Sequence, residues 1–121
     1  MRRWMGLLLL IGAGAVGRAD AATNSWTGAA SADWFAAGNW DQGHYPQAGE
    51  TVFIGNIGTN PVLTNATASL AGFIISNKTL VCSNWSTRII ATEVRVLSNG
   101  VITLPAAFTN NAMSNRIDIA C

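Results

Sequence analysis

The spacing of apolar positions changes character twice along the chain. Residues 6–17 form an unbroken apolar run, Gly-Leu-Leu-Leu-Leu-Ile-Gly-Ala-Gly-Ala-Val-Gly, behind Arg2 and Arg3. Residues 22–50 scatter Trp, Gly, Ala and Asn without a regular period. From residue 51 onward, short β-branched runs alternate with Asn, Ser, Thr and Gly, at 51–54, 72–75, 79–81, 88–90, 93–97, 101–104 and 116–119. Runs of this length bounded by turn residues predict short strands. No stretch there holds a helical apolar period. One short helix is expected over 31–38, with Ser31 as N-cap, Asp33 in the first turn and Gly38 as the closing residue. His44 and Tyr45, between Gly43 and Pro46, read as a turn or extended link.

The strand-rich part repeats itself. Val52-Phe-Ile-Gly-Asn56, Phe73-Ile-Ile-Ser-Asn77 and Arg95-Val-Leu-Ser-Asn99 align without gaps, and their asparagines lie 21 and 22 positions apart. A period near 22 with several strands in each predicts an all-β fold, a parallel β-solenoid of about three coils. In that alignment Phe53, Ile74 and Val96 point into one core, and Val52, Phe73 and Arg95 share the opposite face. Asn56, Asn77 and Asn99 take corner positions, where Asn tolerates the left-handed conformation and stacked side chains bond as a ladder. Leu80 and Ile102 align at the same offset. The alternative is a β-sandwich whose hairpins recur at this spacing.

The first 21 residues read as an address. A basic start, a 12-residue apolar run and Ala19-Asp20-Ala21 have the layout of a secretory signal peptide cleaved after Ala21 or, as second choice, after Ala19. The run is shorter than the roughly 20 residues a spanning helix needs. Gly12, Gly14 and Gly17 also match a dinucleotide-binding G-x-G-x-x-G. The helix and the distant acidic residue that such a site requires are missing. Cleavage lowers Lys plus Arg from 7 to 4 and Asp plus Glu from 6 to 5, which turns the net charge from +1 to −1. A chain so nearly neutral has no basic face for nucleic acid. The expected organisation is a leader at 1–21, a Trp-rich cap at 22–50 and β-solenoid coils at 51–121 that break off before the fold is complete.

The stretch Trp26-Thr-Gly28, Asp33-Trp34, Gly38-Asn-Trp40-Asp41, Gly43, Pro46 and Gly49-Glu50-Thr-Val-Phe-Ile54 carries a resemblance. It resembles the N-terminal start of large secreted bacterial proteins built from autotransporter-associated β-strand repeats or right-handed β-helices. It is also similar to the opening of the G8 domain, an extracellular glycine-rich β domain. The likeness covers residues 26–54 closely and the remainder in texture. It implies the start of a secreted or cell-surface β-solenoid. Such proteins run for hundreds of residues and end in an anchor or transporter, whereas this chain stops at Cys121 within strand-like sequence.

The candidate chemistry is sparse. Trp26, Trp34, Trp40 and Tyr45 are candidates for a sugar-stacking platform on an extracellular polysaccharide. The plainer reading has them cap the exposed end of the core, as a solenoid requires. His44, the sole histidine, has no second His and no close Cys pair for a zinc site, and no G-x-S-x-G accompanies it. Asp33, Asp41 and Glu50, with Asn39, lack calcium-loop spacing. As glycosidase carboxylates they lack a demonstrable cleft, and loop capping suits them better. Beyond residue 50, Lys78, Arg88, Glu93, Arg95, Arg116 and Asp118 do not share one column of the repeat, against the clustering a polysaccharide lyase needs. Cys82 and Cys121 lie 39 positions apart, not a whole number of coils, and Cys82 reads as a small core residue. Asn65, Asn77 and Asn84 fit the glycosylation sequon.

These readings converge on a secreted structural scaffold or stalk with no catalytic residues, no cofactor and no metal, whose unfinished last coil favours end-to-end self-association. The alternatives are a carbohydrate-binding module using Trp26, Trp34 and Trp40, or a fragment of a β-helix polysaccharide lyase.

Overall fold

A computed structural model describes residues 22–105 and 115–121. Residues 1–21, where a leader with cleavage after Ala21 or Ala19 is expected, lie outside the described residues. The described residues form nine short strands: β1 (Thr23–Ser25), β2 (Thr51–Ile54), β3 (Val62–Leu63), β4 (Gly72–Ile75), β5 (Thr79–Cys82), β6 (Ile89–Ile90), β7 (Val94–Val96), β8 (Val101–Thr103) and β9 (Ile119–Ala120). There is no α-helix among the described residues.

The helix expected over 31–38 does not form. Asp33 instead makes a parallel bridge to Val62, and the Trp34 N–H donates to the Val62 carbonyl at 3.1 Å. Ser31 Oγ accepts the Asp33 N–H, and Asp33 Oδ1 accepts that of Phe35. Only Ala37–Asn39 makes a single 3-10 turn. Ser and Asp side chains that close local turns compete with a helix. A segment this short cannot recover the cost of helix nucleation.

The strands form three sheets, ordered β1-β2-β4-β7, β3-β5-β8 and β6-β9. Every strand pairing is parallel. A sandwich made of hairpins requires antiparallel neighbours, so the β-sandwich alternative is excluded. From β2 onward the chain passes the three sheets in the same order three times. In the first pass the parallel bridges Ala66–Arg88 and Leu70–Ala91 occupy the third sheet's side. Thr51 lies opposite Gly72, Phe73 opposite Val94 and Leu80 opposite Ile102. Ile89 meets Ile119, a longer step than the others because the chain between β8 and β9 is longer.

The inward faces differ from the expected ones. Val52 and Phe73 are buried and Val94 half-buried, while Phe53 is 39% exposed and Arg95 lies in solvent. Phe53, Ile74 and Arg95 are register partners on the outward side. Two causes combine. Val-Phe-Ile is apolar throughout, so no alternation marks its face. The third strand also carries one extra residue before Asn99, and a one-residue slip reverses every side chain.

The corner asparagines divide in the same way. Asn77 and Asn99 are left-handed (φ 53° and 59°), and Asn99 Nδ2 donates to Asn77 Oδ1 at 3.1 Å. Asn56 is not left-handed and makes no such bond. In that pass Gly58 (φ 73°) turns the chain. A Cβ on Gly58 would overlap the Thr27 carbonyl, and one on Gly28 would lie 2.7 Å from the Thr59 nitrogen. The loop after β2 thus reaches up to close on the Trp26–Gly28 segment instead of stacking on Asn77.

One core runs through the molecule. Trp26, Trp34 and Trp40 join Val52, Ile54, Leu63, Phe73, Ile75, Leu80, Cys82 and Ile89 in it. Segment 22–50 is therefore continuous with the first pass through β1 and the Asp33–Val62 bridge. At the other end Val96, Leu97, Val101, Ile117 and Ile119 are exposed. Their columns meet solvent there.

Candidate functional site

Two places gather the side chains with chemistry. The first is the Trp-rich segment 22–50. Trp40 is wedged edge-on between Trp26 (centroids 5.1 Å apart, planes at 78°) and Trp34 (4.9 Å, 71°). Trp34 stacks on Phe73 at 6.2 Å. The Trp26 Nε1–H donates to the Thr59 carbonyl and the Trp40 Nε1–H to that of Trp34. All three indoles are buried. They present no face to a sugar, which removes them as a stacking platform; of the four aromatic candidates Tyr45 alone is exposed, and Phe35 packs against it edge-on. Burial follows from the apolar area of an indole, far larger than a short β-branched residue offers.

The polar residues of this segment hold it together. Asn39 is fully buried with its amide saturated. Its Oδ1 accepts from the Ala30 and Ser31 N–H groups, both at 2.8 Å, and its Nδ2 donates to Ser31 Oγ and the Asp33 carbonyl. Asn24, also buried, donates to the His44 carbonyl and to Glu50 Oε1. His44 Nε2 lies 2.7 Å from Glu50 Oε2, and the Gln47 N–H donates to Glu50 Oε1. Asp41 Oδ1 accepts the Ser25 N–H. Asp33, Asp41 and Glu50 are thus each engaged separately, and no group of three metal-binding side chains occurs among the described residues.

The Glu50 carboxyl is shifted by this network. Burial pushes its carboxyl upward, but the bonds from Gln47, His44 and Asn24 and the His44 charge outweigh it, leaving the group below its ordinary value of 4.5. A lowered folded value means that the stabilisation is present above the ordinary carboxyl range and is lost as pH falls through the folded value. Urea midpoints taken between about pH 6 and pH 3 should therefore fall more steeply for the wild type than for Glu50→Gln, which starts lower and lacks this contribution. Parallel curves would exclude the Glu50 linkage.

The second place is the corner between β5 and β6. Arg88 and Asp118 immediately precede the paired residues Ile89 and Ile119. Arg88 Nε lies 3.0 Å from Asp118 Oδ2, and an Arg116 nitrogen 3.6 Å from the same oxygen. The Arg116 guanidinium sits 5.4 Å over the Trp85 ring. The charged residues beyond position 50 were expected not to share one column of the repeat; Arg88 and Asp118 do share one, and Arg116 reaches the same carboxylate. The long step from β6 to β9 hides the pairing from a 22-residue alignment. The available signal was the match of Arg88-Ile89 with Asp118-Ile119.

Cys82 is buried and its thiol is pushed up to about 11 by that burial, while Cys121 is exposed; both thiols are free. Cys121, Ala120, Ile90 and Ser69 help line an open concavity of about 510 Å³. No helix among the described residues is long and apolar enough to cross a membrane.

No family model, curated protein or solved structure matches this chain.

Proposed function

We propose that the chain is the opening of a secreted or cell-surface β-solenoid and serves as a passive scaffold, its three sheets being the three sides of stacked coils. The observation that carries this reading is the order of parallel pairing: the chain revisits the same three sheets in turn, each pass lying against the one before. Neighbouring passes are then separated by about 4.8 Å along one axis. Such an array is stabilised by nearest-neighbour stacking and needs a polar terminal cap. The buried indoles and the Asn24, Asn39 and Glu50 bonds supply that at one end. The exposed Val96, Leu97, Val101, Ile117 and Ile119 are the surface through which end-to-end association would run.

The carboxylates and the imidazole of the cap are used to close loops, which supports a non-catalytic role for that region. Export is supported by the layout of residues 1–21 and by the resemblance over residues 26–54. Producing the full chain in a secreting bacterial host tests both parts. The exported protein should begin at Ala22, or at Asp20 if the second cleavage choice is used, and should leave polysaccharides intact. Retention in the cytoplasm with residues 1–21 attached would overturn the export reading. Turnover by the purified chain would overturn the passive one.

A further inference from the structure

We propose that Trp85, Arg116 and Arg88 form a binding subsite for an acidic sugar residue of a polysaccharide. Trp85 is 53% exposed although Arg116 covers one face of its ring. About half of the residue's surface thus stays open to solvent beside that cation. The corner holding it is pinned from three directions. Asn84 Oδ1 accepts the Trp85 N–H at 2.7 Å, Asn84 Nδ2 donates to the Thr64 carbonyl, and the Arg116 N–H donates to the Asn84 carbonyl. The indole is thus presented from a fixed backbone.

The charge beside it is unbalanced. Two guanidinium groups share the single carboxylate of Asp118, so the triad keeps one positive charge. Each guanidinium has five N–H donors, and each places one nitrogen on Asp118. An indole face accepts the flat C–H side of a sugar ring, as it accepts other apolar faces. A guanidinium plane takes a carboxylate or sulfate through paired hydrogen bonds. A sugar bearing an acidic group offers both features within one residue. Nucleic acid fits less well, because binding a phosphate backbone requires a track of cations and successive stacked bases. This corner has one exposed indole and one net charge. The proposal requires neither export nor the scaffold role, so it can fail or stand independently of them.

Affinity electrophoresis of the purified chain through gels containing polygalacturonate, dextran sulfate or uncharged dextran tests the subsite. Retardation is expected in at least one acidic polymer and not in dextran. Retardation by polygalacturonate alone would identify a carboxylate, by dextran sulfate alone a sulfate, and by both an acidic group of either kind. Trp85→Ala and Arg116→Gln should each weaken binding by about tenfold. Arg116→Lys should recover only part of it, since the charge returns without the stacking plane. Trp85 and Arg116 are outside the buried core, and an unchanged melting temperature verifies that the variants fold. Equal retardation by dextran, no retardation by either acidic polymer, or unchanged binding by Trp85→Ala would overturn the proposal.

Discussion

Replacing Trp40 with alanine should lower the unfolding free energy by about 3–5 kcal/mol. The indole fills the space between Trp26 and Trp34 and touches both edge-on. Its removal opens a cavity that neither neighbour can close without moving the bridge between Trp26 and Trp40. It also strands the Trp34 carbonyl, which accepts the Trp40 Nε1–H. Against a typical total of roughly 5–15 kcal/mol for a domain, such a loss takes away much of the stability. Urea unfolding followed by near-ultraviolet circular dichroism reads both the stability and the coupling among the indoles. Trp34→Phe provides the contrast. The Trp34 Nε1–H is buried without a partner among the described residues, so phenylalanine removes an unsatisfied donor and keeps the stack on Phe73. Its cost should stay below about 1.5 kcal/mol. If Trp40→Ala were as mild as Trp34→Phe, the indole cluster would not be part of the core.

Asn39→Ala should cost about 2–4 kcal/mol, because it leaves the Ala30 and Ser31 N–H groups and the Asp33 carbonyl without their partner. Asn39→Asp is the sharper probe. It preserves shape and the two accepted bonds but turns the Asn39 amide donor, now directed at Ser31 Oγ and the Asp33 carbonyl, into an anion. A buried carboxylate beside a carbonyl oxygen favours its protonated form. The folded carboxyl value is therefore raised, and the deficit relative to wild type should be largest near neutral pH and shrink in acid. Denaturation curves for both proteins across that range measure the difference. A deficit that grew on acidification would mean that the Asn39 pocket accommodates the charge.

The place of the tryptophans beside the first coil pointed to a cap, but nothing in the local sequence distinguished tryptophans that cover a core from tryptophans that meet a ligand. The same residue types serve both ends, and only burial separates them. Asn39 illustrates the related difficulty for polar groups. Beside Asp33 and Asp41 it has the composition of a ligand cluster, yet every bond it makes closes a loop. Trp85 escaped attention because it lies alone in the sequence. Its partner Arg116 is brought over it by the pairing of β6 with β9, 30 positions apart in the sequence.

Residue chemistry along the chain was sufficient for the strand-rich character, the return of similar strands about every 22 positions and the Asn77–Asn99 contact, because β-branched runs and turn residues act locally and the period reports which of them stack. The inward face of each strand, the loss of Asn56 from the ladder, the burial of the indoles and the meeting of Arg88, Arg116 and Asp118 were settled by tertiary packing. Each depends on register between distant segments, and a shift of one residue, or one longer loop, exchanges inside for outside without altering any local preference.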